Sequence, residues 1–213
     1  MKFINARVAC VGVALLPFVA SATGGNAEVT TNPSDFLAHL DAGYFDSGVG
    51  FGINNHATNA TESFSNGTFS YVVSAPSNGI YSDGASITSN FSTDPLVFDF
   101  TGSLNPVTAV GGYFGVTDEF GAFIPSTLQL LLSDSTTVSL DTTTLAGSQG
   151  FVGFIVPNNT FISSLTLTPD TAFQLAGATQ LFVGVPETST YAAAGFMSLC
   201  IGGLWLKRSR RAA

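Results

Sequence analysis

Short apolar runs, several of them alternating with polar residues, recur along the middle of the chain between turn-forming residues. In the run 95–100, Leu96, Phe98 and Phe100 fall on one face. This period of two is typical of strands that bury one face. Comparable runs occupy residues 69–73, 107–116, 128–132, 136–140, 151–156, 161–168 and 179–183. The pattern predicts an all-β fold, an antiparallel, jelly-roll-like β-sandwich at residues 28–184.

Turn-forming residues indicate where the hairpins lie. Asn66-Gly67 tolerates the positive φ of a tight hairpin turn. Ser133-Asp134-Ser135 is expected to join the two runs that flank it, and Pro157-Asn158-Asn159 is expected to join the next two. Gly111-Gly112 lies inside a predicted strand, which indicates a bulge or a close approach of another group to the backbone.

One short helix is predicted at the start of this domain. Asn32 is a favourable N-cap, Pro33 suits the first helical position, and Asp35 lies where the helix dipole favours an acid. An apolar stripe follows, formed by Phe36, Leu37 and Leu40, and Gly43 is expected to end the helix.

The N-terminus has the pattern of a secretory signal peptide. Lys2 and Arg7 precede the apolar run 8–19, whose twelve residues are too short to span a bilayer. Ala20-Ser21-Ala22 supplies a small-residue cleavage motif, and Ala27 offers a second position. We therefore expect a signal peptide at residues 1–22, with cleavage as late as 27, and the Sec translocon and signal peptidase as partners.

The C-terminus combines an apolar segment with a cationic tail. Residues 191–206 carry no charge and are followed by Lys207, Arg208, Arg210 and Arg211. As a helix the segment would be about 24 Å long, short for the ~30 Å core of a bilayer unless Ser189, Thr190 and a snorkelling Lys207 extend it. By the positive-inside rule the tail 207–211 stays in the cytoplasm and the body lies outside. A transmembrane helix is therefore predicted, which anchors the chain in the membrane before processing.

The motif before this segment is Val185, Pro186, Glu187, Thr188 and Ser189. Together with the apolar segment and the basic tail, it resembles the PEP-CTERM sorting signal of Gram-negative bacteria, here at residues 185–213 with the motif at 185–190. The resemblance implies cleavage by an exosortase-type enzyme and transfer from the inner membrane to the cell surface, in bacteria that make exopolysaccharide. Thr188 replaces the second proline of that motif. The alternative, an LPxTG-type sortase signal, requires two departures, at Val185 and Ser189.

Charge is distributed unevenly along the chain. No Lys or Arg lies between Glu28 and Val185, a span that holds thirteen of the fourteen acidic residues. Nucleic acid and anionic lipid are held by Lys and Arg, so both are excluded as partners of the body. Cys10 and Cys200 lie in the two terminal segments. Thiol catalysis and thiolate metal sites are therefore excluded for the body.

The acidic pair Asp118-Glu119 lies at the predicted tip of a hairpin and is the main candidate for a metal site. Together with Asp94 or Asp99 and backbone carbonyls, it would supply the oxygen ligands that Ca²⁺ prefers. A solvated turn without metal is the alternative. No other cofactor is predicted. His39 and His56 would bind a metal only together with a carboxylate, and otherwise they are unrelated surface residues.

No catalytic motif, such as G-x-S-x-G or H-E-x-x-H, is present, and we expect no enzymatic activity. The prediction is an exported, surface-sorted structural protein of the extracellular or biofilm matrix. The alternative is a lectin-like module, with or without Ca²⁺, that binds exopolysaccharide. Its candidate sugar-site residues are Asn54, Asn55, Tyr81 and Tyr113. A secreted hydrolase would need two carboxylates at a fixed separation, and nothing in the sequence favours that.

Overall fold

The structure is a computed structural model that describes residues 21–40, 45–46, 51, 61–65, 70–77, 79–92, 94–157 and 160–185. Within this part the chain is mostly β and forms two antiparallel sheets that pack face to face. The predicted all-β class and sandwich architecture are thereby confirmed. A helix and a short 3₁₀ turn, Ala146–Ser148, accompany the strands.

The first sheet, sheet A, has seven strands. In spatial order they are β1 (Ser21–Thr23), β12 (Thr137–Asp141), β11 (Thr127–Leu132), β14 (Ser164–Pro169), β8 (Leu96–Asp99), β5 (Ser70–Ser74) and β4 (Thr61–Ser65).

The second sheet, sheet B, has eight strands. Six of them follow one another as β2 (Glu28–Thr30), β13 (Gln149–Ile155), β9 (Ala109–Thr117), β15 (Leu175–Gly184), β7 (Ile87–Ser89) and β6 (Ile80–Ser82). The other two are β10 (Phe123–Ile124), which pairs with β9, and β3 (Phe45–Asp46), which pairs with β15.

The core lies between the two sheets. In sheet A the inward residues alternate along each strand, as in β8, where Leu96 and Phe98 are fully buried. In sheet B the central strands β9 and β13 are buried on both faces. Phe114 and Phe154 fill the inner side of these strands. Burial of such aromatic and aliphatic side chains is the main stabilising term, because the described residues include no Lys or Arg that could form salt bridges.

The predicted helix is present as α1 (Pro33–His39). The Asn32 side chain accepts a hydrogen bond from the Ser34 N–H (3.0 Å), as expected of an N-cap. Phe36 is fully buried, and Leu40 packs against the same cluster. Leu37 is more than a third exposed, so its predicted place in the apolar stripe is wrong. The 7-residue helix completes only two turns, and Leu37 lies on its outer side.

Glycines in sheet B form a socket for this helix. A Cβ on Gly153 would lie 2.9 Å from Cγ and 3.0 Å from Cε2 of Phe36, and a Cβ on Gly111 would lie 3.0 Å from its Cζ. The Phe36 ring therefore packs on bare backbone, with the Phe151 ring edge-on at 5.5 Å. This is the close approach predicted at Gly111-Gly112. The sheet's irregularity lies instead on β15, where the register shifts between Ala178 and Gln180.

Two of the predicted hairpins are confirmed and one is wrong. β11 and β12 pair across Ser133-Asp134-Ser135, and β4 pairs with β5, although the turn 66–69 lies outside the described residues. β13 and β14 do not pair, because β13 lies in sheet B beside β9 while β14 lies in sheet A between β11 and β8. The connection between them therefore leads from sheet B to sheet A. Packed sheets lie about 10 Å apart, and the connection is long enough to cover that distance.

The folded part begins before the predicted boundary at residue 28. Strand β1 pairs with β12, which places Ser21–Thr23 on the edge of sheet A. The backbone N–H groups of Asn26 and Ala27 both donate to Oδ2 of Asp134 at 3.0 Å. The five residues 23–27 are therefore attached to the β11–β12 turn.

The remaining terminal predictions fall outside the described residues. These are residues 1–20 of the signal peptide, the sorting motif from Pro186 onwards, the helix 191–206 and the basic tail 207–211. Among the described residues, no helix has the length and apolarity needed to cross a membrane.

Candidate functional site

An open cleft lies at one end of the sandwich. Three connections meet there: the segment after β7, the β9–β10 turn and the β14–β15 turn. Its volume is about 570 Å³, within the range of small-molecule sites. The lining residues are Tyr81, Thr88, Ser89, Asn90, Phe91, Ser92, Glu119, Phe120, Gly121, Phe173 and Leu175. The lining thus combines aromatic rings with hydroxyl, amide and carboxylate groups.

Exposed aromatic rings distinguish this cleft. Phe120 is 85% exposed, Phe173 is 87% exposed and Phe91 is 48% exposed. Each belongs to a different one of the three connections. Scattered exposed apolar residues are common, but three phenylalanines around one hollow form a patch of the kind that marks a binding surface.

The backbone at Phe173 is held in an unfavourable conformation. Its φ is 65°, in the left-handed region that bulky residues rarely adopt. Such a conformation costs about 1–3 kcal/mol and persists where the surrounding structure holds it, often at ligand sites. Ser126 Oγ donates to Gln174 Oε1 at 2.6 Å and thereby fixes the residue next to Phe173. The most exposed ring of the cleft therefore stands on a strained backbone beside a hydrogen-bonded residue.

The β9–β10 turn presents Glu119 and Phe120 on a rigid support. One oxygen of the Asp118 carboxylate accepts hydrogen bonds from the N–H groups of Phe120 and Ala122, both at 2.9 Å. The Asp118 N–H donates to the Ala122 carbonyl (3.0 Å), and Gly121 supplies the positive φ (81°) that closes the turn. The prediction that the acidic pair lies at the tip of a hairpin is confirmed.

The segment after β7 is tied to sheet B by Ser89. Its hydroxyl accepts a hydrogen bond from the Ala176 N–H (3.1 Å) and donates to the Phe91 carbonyl (3.4 Å). Beside it, Thr88 is only 1% exposed, and its Oγ1 has no hydrogen-bond partner among the described residues. A buried hydroxyl without a partner is costly, which gives the wall of the cleft an unmet polar group.

The predicted calcium ligands do not converge. Asp94 accepts hydrogen bonds from the N–H and hydroxyl of Ser77 (3.1 and 2.6 Å), and Asp99 accepts both from Thr101 (2.8 and 2.7 Å). Asp118 closes its own turn, and Glu119 lines the cleft. In the described ranges, no three His, Cys, Asp or Glu residues lie close enough to hold a metal ion. The calcium site stays a prediction.

The other candidates are separated as well. Tyr81 lines the cleft, whereas Tyr113 lies on the outer face of sheet B against Phe151 (5.4 Å between ring centroids) and borders a smaller hollow. His39 is exposed on α1, with Nδ1 2.7 Å from the Asp35 carbonyl. Asn54, Asn55 and His56 lie outside the described residues.

Three aspartates elsewhere in the body are stabilised in their charged form by hydrogen bonds within turns rather than by cations. Burial, the largest single influence, raises the pKa of Asp83 and Asp134, but hydrogen bonds reverse this and leave both values below the ordinary range. For Asp83 the donors are Ser86 and Ala85. For Asp141 the hydrogen bonds from Thr143 lower the pKa directly. Backbone N–H and hydroxyl groups thus take the place of salt bridges in this body.

The phenylalanines of the cleft were missed in the sequence. The signal was present, because Phe91, Phe120 and Phe173 each interrupt a polar or turn-forming stretch where an apolar side chain has no strand face to occupy.

Comparison with known proteins adds no further identification. No protein-family model matches this chain, and no curated protein or solved structure is significantly similar to it. Its class, an all-β sandwich with an aromatic cleft at one end, therefore rests on its own sequence and structure.

Proposed function

We propose that this chain is an exported, surface-sorted protein of the extracellular matrix that holds polysaccharide in its aromatic cleft and has no catalytic activity. The signal peptide directs export. The PEP-CTERM-like segment anchors the chain by its transmembrane helix until an exosortase-type enzyme releases the jelly-roll-like body at the cell surface. The motif and charge pattern of the two ends support this route.

The cleft is the observation that carries the binding role. The faces of sugar rings are apolar and pack on aromatic side chains, while their hydroxyl groups need hydrogen-bond partners. Phe91, Phe120 and Phe173 offer the rings, and the partly exposed Asn90 and Ser92 offer amide and hydroxyl groups beside them. This combination favours the lectin-like alternative over a matrix protein that recognises no ligand.

The same lining supports a role without catalysis. Glycoside hydrolysis uses two carboxyl groups on either side of the scissile bond. Glu119 is the one carboxylate among the residues that line the cleft. The cleft is therefore proposed to retain polysaccharide rather than to cleave it.

Glycan binding is tested with variants of the cleft. Phe120→Ser and Phe173→Ser, made in the exported protein, are expected to lower affinity for matrix polysaccharide at least tenfold on a glycan array and in titration calorimetry. Phe161→Ser is the matched control, because Phe161 is 51% exposed but lies in the β13–β14 connection, at the opposite end of the strands. Equal binding by all three variants and the wild type would refute the proposed site.

Sorting is tested by intact mass and fractionation of the native protein. A surface or medium form that lacks the signal peptide and everything after about Glu187 is expected. Replacement of Arg208, Arg210 and Arg211 should leave the protein unprocessed. Retention of residues 191–213 in the inner membrane of the wild type would refute processing, and would mean that Thr188 disables the motif.

A further inference from the structure

We infer that the polysaccharide held by the cleft carries free amino groups, as in a polymer of de-N-acetylated amino sugars. Its ammonium groups are bound by Glu119 and by the phenylalanine rings beside it. This inference rests on the proposed function and specifies its ligand.

The charge of the body excludes the opposite class of polysaccharide. No Lys or Arg lies between Glu28 and Val185. Glu119 is the one charged residue among those that line the cleft. A uronate polymer would therefore bring its carboxylates to a negative surface with no cation to pair them, and like charges at such a surface repel. A cationic polymer is attracted by the same field.

Glu119 is available to a ligand, unlike its neighbour. The Asp118 carboxylate is used by the turn, where it accepts two N–H groups. Glu119 is exposed, and no hydrogen bond or ion pair of its side chain is recorded within the described ranges. Since the turn is fixed by Asp118 and Gly121, the free carboxylate is held at the tip next to the ring of Phe120.

Aromatic rings beside a carboxylate match the chemistry of an ammonium group. A cation within about 6 Å of a ring centre is attracted by the negative face of the ring, and a carboxylate adds a charge-assisted hydrogen bond. A neutral sugar would use the rings of Phe120 and Phe173 but leave Glu119 without a partner. An amino sugar uses the rings and the carboxylate together, so charge complementarity selects it.

The test compares four polymers of matched length on the exported protein. These are glucosamine oligosaccharides, their N-acetylated forms, a neutral glucan and a polyuronate, each titrated at low and at physiological salt. The glucosamine form is expected to bind most tightly, with affinity falling as salt rises. Glu119→Gln should weaken it about three- to tenfold, since exposed charge and cation–π contacts are of modest strength.

A matched variant controls for net charge. Glu28→Gln removes the same charge from β2, an exposed site at the far edge of sheet B, and should leave binding unchanged. Equal affinity for the free and acetylated forms, or no effect of Glu119→Gln, overturns the inference while glycan binding itself stands. No binding to any of the polymers, or binding that is insensitive to Phe120→Ser and Phe173→Ser, overturns the proposed function instead.

Discussion

Gly153→Ala is expected to destabilise the protein by forcing the ring of Phe36 out of its socket. The new Cβ would lie 2.9 Å from Cγ and 3.0 Å from Cε2 of that ring, whereas ordinary contact begins near 3.4 Å. Phe36 is fully buried, lies edge-on to Phe151 and is in close contact with the backbone at Gly111 and Gly153, so movement of the ring requires its neighbours to shift. The added methyl group must therefore displace helix α1 or the strand beneath it.

The magnitude follows from two opposed terms. Overpacking of a filled site costs about 1–3 kcal/mol. Replacing glycine by alanine in an extended strand returns about 0.4–1 kcal/mol, because the unfolded chain loses freedom. The net loss lies between about 0 and 2.6 kcal/mol, or up to roughly 10 °C in Tm for a chain of this size. Gly102→Ala is the matched control, since no atom lies within 4 Å of its Cβ position.

A double-mutant cycle with Phe36→Ala isolates the contact. The single change Phe36→Ala should cost about 3–5 kcal/mol, as expected for a buried aromatic ring. With the ring absent, Gly153→Ala should become neutral or slightly stabilising, which gives a coupling of about 1–3 kcal/mol. Stability is measured by urea unfolding and thermal melting, followed by far-UV circular dichroism. Equal effects of Gly153→Ala in both backgrounds would refute the socket.

Three further predictions concern the N-terminal attachment, pH and the strained ring. A protein that begins at Glu28 should melt about 5–15 °C below one that begins at Thr23, because it lacks the N–H groups of Asn26 and Ala27 that donate to Asp134. Asp134→Asn should shrink this difference in Tm. A difference that Asp134→Asn leaves unchanged would contradict the role given to these hydrogen bonds. Because hydrogen bonding lowers the pKa of Asp134 and Asp83 in the folded state, their contribution to stability should be full at pH 5–7 and lost as the pH falls below about 4. In thermal melts at acid pH, Asp134→Asn should lose less Tm on acidification than the wild type does, and the exposed Asp170→Asn is the control. Phe173→Gly should leave Tm unchanged or raise it by a few degrees, because glycine adopts the φ of 65° without strain. It should also lower glycan affinity, because it removes an exposed ring from the cleft. A large loss of stability would show that the ring supports the fold.

Much of the fold was predictable from local pattern. The alternation of Leu96, Phe98 and Phe100 determined which face of that strand is buried, and the structure confirms it. Asn32 and Pro33 determined where α1 begins. Such features depend on residues only a few positions apart, and their physical causes, the two-residue period of a strand and the capping of free N–H groups, can be read directly.

Strand partners were predictable only for the two hairpins, β4–β5 and β11–β12. The runs 151–156 and 161–168 are adjacent in sequence and looked like a hairpin, yet they lie in different sheets. A period of two fixes the buried face of a strand but not its neighbour, and pairing is decided by the packing of the whole core.

The sequence by itself determined that the body is all-β, that it contains no Lys or Arg, and where α1 and the β11–β12 turn lie. Only the tertiary structure decided that Gly111 and Gly153 lie together beneath Phe36, and that Phe91, Phe120 and Phe173 surround one cleft. The reason is physical. These residues are 29 or more positions apart and belong to different strands or connections. The two glycines meet because β13 pairs with β9, and the three phenylalanines meet because β9, β15 and β7 lie side by side in sheet B.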